Sequence, residues 1–141
     1  MPHDVRATTL ADRQIAALRG PRRKAFDVFV TELARDGCSA LSYRLTGEGR
    51  LSQLCVRHLR GQDRALVAFD GDTAWVLLVG PHDAEDRRAD VYTALYQLAG
   101  VMPPEGRRTK PPCCDDDAGP PEVDPSVLDH LVGQASPRRH R

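Results

Sequence analysis

Two apolar runs, Arg64 to Phe69 and Ala74 to Val79, flank Asp70-Gly71-Asp72. An Asp-Gly pair between apolar runs marks a tight β-hairpin, because glycine accepts the positive φ that such turns need. Both runs are apolar on both faces, so both faces of this hairpin must be covered by other elements. An antiparallel pair also brings its outer ends to one end of the sheet. Here those ends hold Arg57, His58, Arg60 and Arg64 before the hairpin and His82 and Asp83 after it. Cations beside two imidazoles have the chemistry to hold a phosphate and move a proton.

The segments around the hairpin supply the rest of a small domain. Leu10, Ile15 and Leu18 mark a short first helix, with Thr9 to Asp12 read as a capping box. Gly20-Pro21 breaks it, and Pro21 opens a second helix reaching about Arg35. Phe26, Phe29, Val30 and Leu33 form its stripe, and Gly37 its C-cap. The period then changes to two. Leu41, Tyr43 and Leu45 outline one strand, and Leu51 to Leu59 the next. In the second, either the Val56 and His58 face or the Cys55 and Arg57 face must turn inward, or the strand lies at an edge. After Gly80-Pro81, Asp83 is placed to cap a last helix that carries Val91, Leu95 and Leu98 and ends at Gly100.

The expected fold is therefore α+β: an N-terminal helical hairpin, a four-stranded antiparallel sheet and a C-terminal helix. Residues 1–7 are expected to be flexible, 8–100 to form the domain, and 101–141 to be a Pro-rich, largely disordered tail. Eight of the eleven prolines lie from Pro103 to Pro137, in a stretch with few apolar residues. Within it, Val127, Leu128, Leu131 and Val132 have helical spacing. That segment is expected to be a nascent helix, or to dock on the domain or a partner.

Charge excludes little. Lys plus Arg equals Asp plus Glu at 20 each, so bulk attraction to nucleic acid is not indicated. Locally, five arginines lie between Tyr43 and Arg64, and the only lysines are Lys24 and Lys110. The four cysteines, Cys38, Cys55, Cys113 and Cys114, show no zinc spacing. Cys55 is expected as a small buried apolar residue. The vicinal pair is accidental, or else binds soft metal or oxidises. The N-terminal M-P-H-D-V-R lacks the apolar run of a signal peptide, and no run approaches about 20 apolar residues. A reduced cytoplasmic protein without membrane association is the expectation.

At L-C-V-R-H-L-R-G-Q-D-R-A-L-V-A-F, W-V-L-L-V-G-P-H-D and A-D-V-Y the chain resembles the RelE/ParE toxins of type II toxin–antitoxin systems. The resemblance spans about Leu18 to Leu98. It implies a toxin that cuts mRNA on the ribosome without metal or cofactor and is neutralised by a cognate antitoxin. Its alternatives are a ParE-like inhibitor of DNA gyrase that catalyses nothing, or a non-toxic binding or regulatory protein on the same fold. In the nuclease case the RNA 2′-hydroxyl attacks the adjacent phosphate, which needs a base, an acid and cations. By position, the resemblance implies His58, Arg64, His82 and Tyr92 as the catalytic set. Arg57 and Arg60 would bind RNA phosphate, and no metal site is implied. Asp83 would orient His82 or cap the helix, and Glu48 would be a further carboxylate base. No lysine falls within the expected site.

Overall fold

The computed structural model describes residues 3–106 and 108–136. Strand β1 (Asp4–Ala7) leads into helices α1 (Thr9–Ala16) and α2 (Pro21–Asp36). Strands β2 (Tyr43–Arg44), β3 (Cys55–His58), β4 (Asp63–Asp70) and β5 (Thr73–Pro81) follow, then α3 (Val91–Ala99) and α4 (Pro125–Ala135). The sheet has five strands in the order β1-β5-β4-β3-β2. The four expected strands pair antiparallel in chain order, and β1 adds to β5 in parallel. The sheet is therefore mixed, and residues 4–7, expected to be loose, form an edge strand. His3 is tied down as well, its N–H donating to the Ala34 carbonyl at 2.7 Å.

The two faces of β4 and β5 part their side chains as a doubly covered sheet should. Ala65, Val67, Phe69, Ala74, Val76 and Val79 pack with Ile15, Phe26, Phe29 and Leu33 from α1 and α2. Leu66, Ala68, Leu77 and Leu78 pack with Leu95, Leu128 and Leu131 from α3 and α4. Leu77 and Leu78 share a face because the β4–β5 register shifts between Leu66 and Val67.

Local signals set several boundaries. Pro21 begins α2, and Gly37 ends it with a positive φ of 61° that glycine accepts without strain. The first cap is Thr8 rather than Thr9: its hydroxyl accepts from the Ala11 N–H and donates to the Leu77 carbonyl at 2.8 Å. Asp90, not Asp83, caps α3. Asp83 instead accepts from the N–H groups of Glu85 and Asp86, both at 3.0 Å. The strand expected over Leu41 to Leu45 shrinks to two residues, with Leu41 turned to the α2 side and Leu45 to the α3 side.

The tail differs most from expectation. Its described residues are ordered against the domain chiefly through Cys113, Val123 and helix α4, rather than remaining disordered. Val123, Leu128, Leu131 and Ala135 are buried, and Thr9 N–H donates to Ser136 Oγ at 3.0 Å. Two disulfides, Cys38–Cys114 and Cys55–Cys113, fasten the tail to the domain. The expectation of a reduced protein is thus overturned; of the alternatives for Cys113 and Cys114 the oxidised one holds, with Cys55 and Cys38 as partners. The composition argument weighed ordering entropy against apolar burial and left cross-links out. Residues 137–141 lie outside the described part, as do Met1 and Pro2. No helix among the described residues is long and apolar enough to cross a membrane.

Candidate functional site

Strand register builds one end of the sheet. His58 lies directly opposite Arg64, and Arg64 opposite Gly80. Directly paired residues project to the same face, here the face covered by α3. His82, two residues beyond Gly80, continues that face, and its N–H is held by the Gln62 carbonyl at 2.7 Å. Tyr92, in the first turn of α3, closes on it, with the His82 and Tyr92 rings edge to face at 5.0 Å. All four residues line one cleft of about 450 Å³, with Tyr43, Arg44, Thr46, Arg108 and Lys110 as further walls.

A relay of polar contacts runs through the cleft. His58 Nε2 is 3.3 Å from the Tyr43 hydroxyl, which lies 3.0 Å from the Tyr92 hydroxyl. His82 Nδ1 meets Asp90 Oδ1 at 2.9 Å, leaving Nε2 to give or take a proton. Burial by itself would raise the Asp90 carboxyl. Hydrogen bonds from His82, the Asp83 N–H and Thr93 outweigh it and hold the group below the usual carboxylate range. Asp90 is therefore an ionised anchor for the imidazole, the part expected of Asp83. Burial, then the hydrogen bond and charge of Tyr43, push the Tyr92 phenol far up; the nearby Arg64 charge only partly opposes this. Tyr92 therefore stays protonated, with a hydroxyl proton available to donate. Partial shielding of the His58 ring, then the charges of Arg64, Lys110 and His82, lower its pKa. These effects favour the neutral imidazole.

Arg64 is the informative cation. Only 9% of it is exposed, yet no carboxylate among the described residues lies within ion-pair distance. Its neighbour Asp63 is occupied by Arg22, which grips both oxygens at 2.7 and 2.8 Å. Arg64 Nη1 donates to the Gly61 and Asp63 carbonyls at 3.2 and 3.0 Å, and its buried Nε has no partner. The guanidinium is thus held by carbonyls and the neighbouring Tyr92 hydroxyl rather than by a carboxylate, which leaves its charge unpaired.

Two expected phosphate ligands are not in the cleft. Arg57 alternates with His58 and so projects to the α2 side. There it donates to Glu32 at 3.0 Å and the Ala40 carbonyl at 2.7 Å, and lies over the Phe29 ring. That pairing resolves the β3 ambiguity: the half-buried arginine faces the helices and His58 the cleft mouth. Arg57→Ala should cost about 1–3 kcal/mol of stability, read by thermal melting, and leave the cleft's side chains in place. Arg60 sits exposed in the bend between β3 and β4, outside the cleft lining. Glu48 accepts from the Arg50 N–H at 2.9 Å in a turn, and also lies outside it.

Tyr43, Arg108 and Lys110 were missed. Lys110 Nζ lies 5.1 Å over the Tyr43 ring, and Arg108 lies 5.9 Å over Tyr96. Both cations come from the segment read as disordered, so no local pattern tied them to the hairpin.

No family model and no curated protein matches the chain. Among solved structures it is similar to a chain of the RelBE2 toxin–antitoxin complex from Mycobacterium tuberculosis. The two are 28% identical over 56% of this chain and 96% of that one, with a TM-score of 0.48. That superposition is too loose to assign a family, and the functional reading rests on the cleft.

Proposed function

We propose that the protein is a metal-independent endoribonuclease of the RelE/ParE kind, cutting mRNA, on the ribosome, and held in check by a cognate antitoxin. The observation that supports it is the buried, carboxylate-free Arg64 between two histidines and a protonated tyrosine. The antitoxin and the ribosome enter from the sequence resemblance alone. In this reading Arg64 and the tail cations bind the scissile phosphate. His58 takes the 2′-hydroxyl proton as that oxygen attacks phosphorus. His82, held by Asp90, protonates the departing 5′-oxygen. Tyr92 and Tyr43 donate to a phosphoryl oxygen as its charge grows. The step needs no redox partner and leaves a 2′,3′-cyclic phosphate and a 5′-hydroxyl.

The test is purified protein with mRNA in excess chelator, on naked transcripts and on translating ribosomes, with the product ends mapped. Cyclic-phosphate and hydroxyl ends are the expected result, and intact RNA under both conditions overturns the reading. The pH profile adds a second check. A base with a lowered pKa is active above that value and is lost as pH falls through it. The acid limb should therefore lie below the ordinary imidazole value of about 6.5. His58→Ala should remove that limb and slow cleavage about 10²- to 10⁴-fold. The gyrase alternative gains no observation among the described residues.

A further inference from the structure

The cleft takes two of its cations from a segment that has no helix or strand. The described residues of 105–110 are all exposed. Two hydrogen bonds join this stretch to β2 and the turn after it, Thr46 hydroxyl to the Thr109 carbonyl at 2.9 Å and Arg44 N–H to the Pro111 carbonyl at 2.8 Å, beside the exposed contacts of Lys110 with Tyr43 and Arg108 with Tyr96. Bonds at a solvent-exposed edge, each worth about 1 kcal/mol, do not fix a segment that costs about 1–2 kcal/mol per residue to order. What does fix it follows at once: Cys113 and Cys114 are bonded to Cys55 in β3 and Cys38 after α2. Arg44 reaches this anchor too, donating to the Cys113 carbonyl at 2.9 Å.

We infer that the anion-binding cleft is redox-gated: Arg108 and Lys110 face it only while the Cys38–Cys114 and Cys55–Cys113 bridges hold the tail against β2 and β3. The ligand class, a phosphodiester of single-stranded RNA, rests on the proposed function; the gating does not. In the gating step a dithiol reductant gives two electrons and two protons to each bridge. Four cysteine thiols form, and two reductant molecules become cyclic disulfides. Cys114 is partly exposed while Cys38, Cys55 and Cys113 are buried, so attack enters at the Cys38–Cys114 bridge. With the bridges open, Lys110 is tethered but no longer placed, and Arg64 faces the ligand without the tail cations.

The experiment uses the full chain and a short single-stranded RNA in which every 2′-hydroxyl is methylated, so binding is read without cleavage. Affinity is measured by fluorescence anisotropy before and after reduction by a dithiol, with thiols counted and the fold followed by circular dichroism. Reduction is expected to weaken binding about tenfold, the effect of one or two lost charge-assisted contacts. Lys110→Ala should produce a comparable loss in the oxidised protein and no further loss in the reduced one. Equal affinity in both redox states, or no effect of Lys110→Ala on the oxidised chain, overturns the inference. If reduction unfolds the protein, Cys38→Ser with Cys114→Ser, which keeps the buried bridge, replaces it. That variant should bind more weakly than the parent, and equal binding overturns the inference. Redox-dependent binding without cleavage of unmodified RNA would sink the nuclease reading and leave the gate. Cleavage with redox-independent binding would do the reverse.

Discussion

Ending the chain after Gly100 should leave a polypeptide with no cooperative thermal transition. The lost segment buries Leu128 and Leu131 against the face that carries Leu77, Leu78 and Leu95. Each buried leucine is worth about 2–5 kcal/mol. Truncation also removes the partners of Cys38 and Cys55. A single native disulfide adds about 2–5 kcal/mol. The second bridge adds less than the first, because Cys113 and Cys114 are adjacent and one closure already shortens the other's loop. Even so, the combined loss approaches the whole stability of a domain, about 5–15 kcal/mol. A melting curve by circular dichroism decides the matter. A sharp transition within the usual range of about 45–65 °C would show that residues 8–100 form a domain on their own.

Arg64→Ala should slow RNA cleavage by about 10²- to 10³-fold, the usual effect of removing one preorganised donor to a developing oxyanion. Stability should fall by about 2 kcal/mol, for the bonds from Nη1 to the Gly61 and Asp63 carbonyls at about 1 kcal/mol each, so the rate is compared per folded molecule. Arg64→Lys should recover part of the rate, since it restores charge but not the two-pronged geometry. A folded Arg64→Ala protein that cuts RNA at the parental rate would remove the guanidinium from the chemistry.

How much of this was legible in the sequence depended on how local each signal is. The β4–β5 hairpin and α2 could be read because their turn residue, their proline and Gly37 lie within the elements they bound. The site was half legible for the same reason. A hairpin brings its ends together, so Arg64 and His82 followed from Asp70-Gly71-Asp72. Arg57 was misplaced by the parity of β3, which sends neighbours to opposite faces. Strand β1 was illegible: four residues, D-V-R-A, find a parallel partner far along the chain, at Thr73 to Val76. The cysteine pairs follow no spacing rule, and without them nothing linked Lys110 to Tyr43.

The extra residue in β5 reaches further than the local kink it makes. From the hairpin tip to Val67, each residue of β4 faces its mirror image in β5; beyond that point the pairing has slipped by one. An unslipped ladder would set Arg64 across from Val79, and His82 would emerge on the α2 side, beside Asp63 and Arg22. The bulge therefore decides here which surface receives the second imidazole. A chain of the same length whose β5 ran on without the bulge at Leu77 would keep its hairpin and have two half-sites back to back.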